Sequence, residues 1–514
     1  MLLLYPCAGE QRRSALTKGK ARLAKASIHR LRVQSGQDRL GVHQGASDMK
    51  MENRTFDELA IGETAELRRL IKPDDLYVFA VASGNHNPMH LPNLDGDGDG
   101  RPDEIAPGMF VASLISAVIG NLLPGPGTLY RAQRLEFNDR ARVGEELVSK
   151  VTVTGKDPDG SVTLATEVRR VKDNSLILSG EGRVQAPAKK LVFDDIEVPG
   201  LIVQRHRHFE ALIAKAEPLP AIVTAVVCPD EENALGGAVL AAGHSIITPI
   251  LVGDAAKIRA AARAIKADIS AFEIVPAATD EEAARIAVDL VNAGRAAAVM
   301  KGHLHTEDLL HPMIDREKGL RVGGRRFTHV FVMDVPGQPQ PIIVTDAAIN
   351  IAPDLTTKID IVQNAIDLAI SLGFGTPRVG VLSAVETVNP AIPSSLDAAL
   401  LSKMAERGQI TGGLVDGPLA MDNAIDMAAA RTKGIKSEVA GRANILVVPN
   451  IDAGNMLAKQ LSYMSHAEGA GLMLGAKVPV ILNSRSDSSM ARLASCAVAA
   501  IHHARLAGLK GKGH

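Results

Sequence analysis

Cysteine, tryptophan and long apolar runs are scarce or absent in this 514-residue sequence. Its three cysteines, Cys7, Cys228 and Cys496, stand far apart without a CxxC pair, which excludes a disulfide framework and a cysteine-based zinc site. Such usage is typical of a reducing compartment, so we expect a cytoplasmic protein. No apolar run is long enough to cross a bilayer, and we therefore expect no membrane partner.

Aromatic residues are also few, at 3%, whereas glycine is abundant with 46 residues. This composition favours an α/β protein over an aromatic-rich all-β protein. The net charge is −1, yet residues 1–50 contain ten basic and three acidic residues. The rest of the chain is therefore acidic, which gives no reason to expect a nucleic-acid partner.

The hydrophobic pattern divides the chain into four segments, which predict a multidomain protein. Residues 1–50 have no sustained apolar period and are predicted to be a disordered basic extension, with Met49 or Met51 as an alternative start. Residues 51–187 combine one apolar helix with alternating strands, which indicates an α+β domain. Residues 188–203 form a linker rich in Pro, Lys and Asp, and residues 204–514 alternate strands with helices, which predicts a mostly parallel α/β fold.

Polar residues follow the predicted strands of the C-terminal segment. In parallel sheets, ligands bind beyond the carboxyl ends of the strands, so these positions are the candidate site. The residues concerned are Lys301, Thr345, Asp346, Asn350, Asp416, Asp452, Asn455, Ser484, Arg485 and Asp487.

An ordered series of motifs in this segment resembles the phosphate acetyltransferase and phosphate butyryltransferase family. The series runs through 300–302 (MKG), 345–350 (TDAAIN), 415–418 (VDGP), 439–444 (VAGRAN), 452–455 (DAGN) and 484–485 (SR). The resemblance implies a two-subdomain α/β fold with a cleft. It also implies reversible acyl transfer between CoA and inorganic phosphate, with acyl-CoA and phosphate as substrates and no bound cofactor.

The same resemblance suggests roles for individual residues. Arg485 would bind phosphate as a planar cation, and Ser484 would stabilise the negative charge on the thioester oxygen. The nearest carboxylate is Asp487, whereas the family's more distal acidic position is Ala491 here. Substrate-binding positions would be Lys301, Thr345, Asp346, Asn350, Asp416, Arg442, Asn444, Asp452 and Asn455. An alternative interpretation makes residues 484–487 only the N-cap of the following helix.

A second resemblance covers residues 51–187, where 83–90 (SGNHNPMH) is similar to the hydration motif of MaoC-like hotdog enoyl-CoA hydratases. It implies a helix wrapped by an antiparallel sheet, a homo-oligomer, and a site formed by Asn85, Asn87, His90 and Gly108. Asn85 stands where that family has an Asp, and a neutral amide cannot abstract a proton. Enoyl-CoA hydration as the main activity and a non-catalytic CoA-ester-binding protein therefore remain alternatives.

Two clusters raise the question of a metal, and for both we expect none. His303, His305 and His311 lack the spacing of a ligand set. Residues 95–104 (DGDGDGRPDE) resemble a calcium loop, but the twelfth position is Ala106 where a bidentate Glu is expected. A solvated acidic loop is the favoured interpretation.

Overall fold

The computed structural model describes residues 51–194, 196, 201, 203 and 205–508. The predicted basic extension and part of the predicted linker lie outside the described residues. Among the helices that are described, none combines the length and the apolar character needed to cross a bilayer.

Contacts divide the chain into two compact units that interleave along the sequence. One contains the described residues up to Arg69 with Val111–Arg140 and Glu146–Val198, and the other contains Leu70–Phe110, Ala141–Glu145 and the chain from Pro199 onwards. The domain boundaries drawn from the sequence at 187 and 204 stay a prediction.

The N-terminal part of the chain contains one long apolar helix and a five-stranded antiparallel sheet of order β2-β4-β5-β6-β3. This combination is the predicted α+β hotdog architecture. Its elements are β1 (Met51–Glu52), β2 (Thr64–Leu70), α1 (Pro73–Ser83), a 3₁₀ turn (Pro88–His90), α2 (Gly108–Asn121), β3 (Leu129–Phe137), β4 (Glu146–Lys156), β5 (Ser161–Arg170), β6 (Leu176–Gln185) and β7 (Val192–Phe193).

Alternation of buried and exposed positions explains the register of this sheet. In β5, Val162, Leu164 and Val168 are completely buried. They stand at even-numbered positions, and the more exposed residues between them point to the other face of the sheet. A shift of one residue would turn these side chains to the opposite face, so burial fixes the pairing of Val162 with Val184 of β6.

The second half of the chain alternates strands and helices, as predicted. Its strands are β8 (Ile222–Val227), β9 (Ile247–Gly253), β10 (Glu273–Pro276), β11 (Ala298–Lys301), β12 (Thr328–Asp334), β13 (Ile342–Thr345), β14 (Arg378–Leu382), β15 (Leu414–Leu419), β16 (Ile445–Val447), β17 (Glu468–Leu474) and β18 (Val480–Ile481). Its helices are α3 (Arg207–Ala216), α4 (Glu232–Gly243), α5 (Ala255–Ala264), α6 (Asp280–Asn292), α7 (Thr306–Met313), α8 (Leu355–Leu372), α9 (Pro393–Glu406), α10 (Met421–Ile425), α11 (Met427–Thr432), α12 (Ile451–Met464) and α13 (Ser489–Leu506).

These strands form one sheet in the order β10-β9-β8-β11-β18-β17-β12-β13-β16-β14-β15. Three neighbouring pairs at the centre of the sheet, β18–β17, β17–β12 and β12–β13, are antiparallel. The strand pairs from β10 to β18 and from β13 to β15 are parallel. The two parallel sets therefore run in opposite directions. Their carboxyl ends lie at opposite edges of the sheet, so polar residues that follow the strands do not all meet at one edge.

Helix α13 packs closely on α4 and carries a fully buried arginine, Arg492. Gly237 of α4 permits this contact, because a Cβ added there would lie 2.5 Å from the Cβ of Arg492. The nearest Arg492 atom belongs to the base of the side chain, which cannot move without moving the helix.

We predict that Gly237→Ala lowers the free energy of unfolding by about 1–3 kcal/mol, the usual cost of overpacking a core. Gly243, at the end of the same helix, has open space around its added Cβ. Gly243→Ala is therefore the matched control and should be neutral or stabilising by up to about 1 kcal/mol. Denaturant unfolding followed by circular dichroism measures both, and equal effects of the two substitutions would contradict the close contact.

Candidate active site

A cavity of about 350 Å³ lies in the second unit, over one face of the centre of the large sheet. Its floor comes from alternate residues of β12, namely His329, Phe331 and Met333. Residues 482–484 and 486–488, which follow β18, and the beginning of α13 form one wall. Helix α12 forms another, through residues that include Asn455, Lys459 and Tyr463.

The loop at residues 484–487 is held by its own aspartate. Asp487 Oδ2 accepts hydrogen bonds from the Ser484 backbone N–H at 2.8 Å and from Asn483 Nδ2 at 3.1 Å. Ser484 Oγ lies 3.1 Å from Ser486 Oγ, and the side chains of both serines and of Arg485 are exposed. The loop therefore presents two hydroxyls and one guanidinium on a fixed backbone.

The alternative interpretation of this segment as a helix cap is wrong. The residue that caps α13 is Ser488, whose Oγ accepts a hydrogen bond from the Ala491 N–H at 3.1 Å. Ser484 and Arg485 lie before the helix, near its positive end, where an anion is stabilised.

Arg492 supports this loop from beneath. Its Nη2 donates to the Ser484 carbonyl at 2.9 Å and its Nη1 donates to the Lys301 carbonyl at 3.1 Å. One guanidinium therefore joins the loop after β18 to the end of β11, which is the neighbouring strand.

Lys301 is buried at the end of β11, with Nζ 3.5 Å from the Asn483 carbonyl oxygen. Burial lowers the pKa of its ammonium to about 8, and the nearby positive charges of Arg492 and Arg485 add to this effect, whereas Asp487 opposes it. Three cations thus share one small region.

Asp346 and Asn350 form a hydrogen-bonded corner after β13, at the edge opposite to Ser484. Asp346 Oδ1 accepts from the N–H groups of Ala348 and Ile349 at 3.0 Å each, and Oδ2 accepts from Asn350 Nδ2 at 2.6 Å and from the His329 N–H at 3.1 Å. Thr345 Oγ1 donates to the His329 carbonyl at 2.7 Å. These groups shape the backbone under the cavity.

The other candidate residues of this segment are dispersed. Asn444 is buried and its Oδ1 accepts from the Arg378 N–H at 2.8 Å, while Asp416 Oδ1 accepts from the Gly417 N–H at 2.8 Å in the edge strand β15. Arg442 is exposed, and Asp452 is exposed in the first turn of α12. Of the candidate residues in this segment, Asn455, Ser484 and Asp487 line the cavity. The four dispersed residues do not, and neither do Lys301, Thr345, Asp346, Asn350 and Arg485. A binding role for these nine residues stays a prediction.

His329 is a cavity residue that the sequence analysis missed. It is 0% exposed, and within the described part of the chain neither ring nitrogen forms a hydrogen bond of ordinary geometry. Burial lowers the pKa of its imidazole, whereas Asp346, the nearby backbone of Leu482 and Asp487 oppose the shift. Arg492 was also missed. In both cases the available signal was a titratable residue within a mostly apolar strand or helix.

The hydratase-like residues are arranged along residues 85–108. His90 Nδ1 lies 2.9 Å from the Ile105 carbonyl oxygen, and Gly108 is the first residue of α2. The side-chain oxygen Oδ1 of Asn85 accepts from the Asn87 N–H at 3.3 Å, and Oδ1 of Asn87 accepts from the Met89 N–H at 3.2 Å. In the acidic loop, the exposed carboxylates of Asp95, Asp97 and Asp99 lie within 4.8 Å of one another.

Fold and cavity together define an α/β protein in which a loop with two hydroxyls and one guanidinium follows a parallel strand. Residues 278–500 match the family described as phosphate acetyl/butaryl transferase, and residues 57–173 match the MaoC like domain. The chain belongs to the phosphate acetyltransferase and phosphate butyryltransferase family, and it carries a MaoC-like domain before that part.

Individual relatives support this assignment. A phosphate acetyltransferase of Rhizobium meliloti is 56% identical over 297 residues, which cover 58% of this chain and 94% of the relative. A phosphate butyryltransferase of Clostridium beijerinckii is 40% identical over 299 residues, which cover 58% of this chain and 99% of the relative. A phosphotransacetylase structure from Streptococcus pyogenes is 20% identical with a TM-score of 0.51, covers 59% of this chain and 100% of its own, and supports the fold alone.

Because the pKa of Lys301 is lowered in the folded protein, we predict that stability depends on pH. Between about pH 8 and the ordinary lysine pKa of 10.5, the unfolded chain binds a proton that the folded chain does not, so the free energy of unfolding rises with pH in this window. Lys301→Met removes a buried charge and should stabilise the protein at pH 7. The difference in the free energy of unfolding between this variant and the wild type should decrease as the pH rises from about 8 towards 10.5.

Denaturant midpoints from pH 7 to pH 10.5 measure this difference. Lys459→Met, at an exposed position of α12, is the control, and its stability difference from the wild type should not change comparably with pH. A Lys301→Met variant that is less stable than the wild type at pH 7 would contradict the assigned cost of burying this cation.

Proposed function

We propose that the protein is a phosphate acyltransferase, which transfers an acetyl or short acyl group reversibly between CoA and inorganic phosphate. The observation that carries the proposal is that the loop of Ser484 and Arg485 borders the cavity through Ser484, while Arg485 is close enough to Lys301 to lower the pKa of that lysine. Family membership over the same part of the chain supports it. The reaction needs no bound cofactor.

Chemically, the phosphate oxygen attacks the thioester carbonyl carbon, the C–S bond breaks, and the thiolate leaves and receives a proton. Arg485 would hold the phosphate by a planar, permanently charged fork, and Lys301 would add a second cation beside it. Ser484 Oγ would donate to the carbonyl oxygen as negative charge develops there. Because two anionic reactants must be held in register, much of the acceleration would come from positioning.

Asp487 has a supporting role in this proposal. Its Oδ2 already accepts two hydrogen bonds, from the Ser484 N–H and from Asn483 Nδ2, which engage this oxygen within the loop. We therefore assign Asp487 to holding the loop. Thr345, Asp346 and Asn350 would shape the cavity floor, and Asn455 would contact the substrate from α12.

We further propose that the protein acts in the cytoplasm as a homo-oligomer. The free thiols of Cys228 and Cys496, both buried, are compatible with a reducing compartment. Size-exclusion chromatography with light scattering would measure the oligomeric state directly.

Substitution of the loop residues tests the main proposal. We predict that Ser484→Ala and Arg485→Ala each lower kcat/KM for phosphate-dependent release of CoA from acetyl-CoA or butyryl-CoA by about 100-fold or more, the usual cost of removing a charge-stabilising group. Arg259→Ala, on the exposed side of α5, is the matched arginine control and should retain the wild-type rate. A wild-type chain without phosphate-dependent CoA release would refute the function, and unchanged loop variants would refute the site.

A second candidate function, hydration of 2-enoyl-CoA, is favoured by the geometry of His90. Because a carbonyl oxygen only accepts, His90 Nδ1 donates to Ile105, and in the neutral ring Nε2 is then the free acceptor. The N–H of Gly108, at the start of α2, belongs to the helix donors that lack an intrahelical partner and could bind a thioester oxygen. Asn85 supplies no base, which limits this activity.

We predict that Asn85→Asp raises the hydration rate at least about tenfold, because a carboxylate at this position can activate water. His90→Ala should abolish the activity of both the wild type and that variant, whereas His86→Ala, at an exposed position nearby, should not. The loss of 2-enoyl-CoA absorbance is the measurement. If Asn85→Asp gains nothing, the segment is better described as a CoA-ester-binding element without catalysis.

A further inference from the structure

His329 is a buried side chain whose hydrogen-bonding capacity is not fully used. Neither ring nitrogen forms a hydrogen bond of ordinary geometry within the described chain, although the backbone of Leu482 is near enough to raise the pKa of the ring. The ring is 0% exposed and lines the cavity. Each unsatisfied buried polar group costs about 1–3 kcal/mol. A ligand group in the cavity would form the hydrogen bond and offset this cost. The opposite face of the sheet is apolar and would offer the ring no such partner.

The strand register fixes the direction of this side chain. His329, Phe331 and Met333 alternate on the cavity face, whereas Val330 and Val332 belong to the apolar core on the other face. The backbone is also fixed, since the His329 N–H donates to Asp346 and its carbonyl accepts from Thr345. The hydrogen bonds of its backbone therefore fix the position of His329, while the imidazole remains able to accept a proton.

The carboxylates around the ring are occupied. Asp346 accepts four hydrogen bonds through its two oxygens, and Asp487 Oδ2 accepts two. On the wall beside Ser484, Ala491 contributes only a methyl group. Glu468 also lines the cavity, at the first residue of β17, and is the rival proton acceptor.

We propose that His329 is the catalytic residue that accepts the proton of the CoA thiol. The inference rests on the proposed acyl transfer. In the direction that forms acyl-CoA, the S–H proton passes to a ring nitrogen and the sulfur attacks the carbonyl carbon of the acyl phosphate. The C–O bond to phosphate breaks, phosphate leaves with the bonding electron pair, and the imidazolium returns its proton to phosphate or water. The reverse reaction protonates the leaving thiolate.

Electrostatics around the ring suit this task. Burial lowers the pKa of His329 and keeps the ring neutral, able to accept a proton at neutral pH. Once it is charged, the imidazolium is stabilised by Asp346, from the corner after β13, by the backbone of Leu482, and by Asp487, from the loop before α13. Lys459 of α12 and Glu468 of β17 are the other charged groups that line the cavity.

Three variants test the proposal in thioester formation from an acyl phosphate and CoA. His329→Gln should lower kcat by about 100-fold or more while KM for CoA stays within about threefold, as expected for a lost base. His329→Gly should be equally impaired and should regain activity with added imidazole, which a purely structural role would not explain. The matched control is His502→Gln, because His502 is buried on α13 and pairs with Ser371 outside the cavity.

The wild-type pH profile gives a readout that needs no variant. With His329 as base, kcat should be level from about pH 7 to 8 and fall only below the ordinary histidine pKa of about 6.5. A kcat that instead falls tenfold per pH unit from pH 8 downwards, in parallel with the thiolate, would overturn the proposal.

The remaining outcomes separate this inference from the proposed function. No thioester formation by the wild type would refute the acyl transfer itself. An active wild type with an equally active His329→Gln, or a His329→Gly variant that imidazole does not restore, would refute only the role of His329. If Glu468→Gln abolishes the fall of kcat at low pH, while His329→Gln retains that fall, the residue that accepts the thiol proton is Glu468.

Discussion

The candidate site depends on one buried cation. Arg492 is completely buried, and its two hydrogen bonds hold the carbonyls of Ser484 and Lys301 at the ends of neighbouring strands. Burial of a charge without full compensation is costly, and loss of its partners would leave an isolated guanidinium in the core. The loop position is therefore tied to the packing of α13 on α4, where Gly237 provides the space.

The antiparallel centre of the sheet determines where the cavity can lie. If all strands ran in one direction, the polar residues that follow them would line a single edge. Here β12 and β17 reverse the direction between two parallel sets, so Ser484 and Asp346 emerge at opposite edges. A ligand that contacts both regions must cross the face of β12. The cavity residues His329, Phe331 and Met333 mark this path.

The alternation of strands and helices, the mostly parallel pairing and the Ser484 loop could be predicted from the sequence, because each leaves a local pattern. The reversal at β12 and β17 could not, since strand direction depends on pairing between residues distant in sequence. Arg492 and His329 were missed for a related reason. Both stand in apolar elements, and only the packed structure reveals that one satisfies two carbonyls while the other satisfies none.

Charge at the site illustrates how little the net charge of a chain says about its ligand. Outside residues 1–50 the sequence is acidic, yet Lys301, Arg485 and Arg492 lie close enough for the two guanidinium groups to lower the pKa of the lysine. These cations repel one another, and burial removes the water that would screen them. A bound phosphate would relieve the repulsion and favour protonated Lys301, so anion binding and proton uptake at this lysine are coupled. The repulsion among these cations would then add to the affinity for an anion, because the ligand brings negative charge to them.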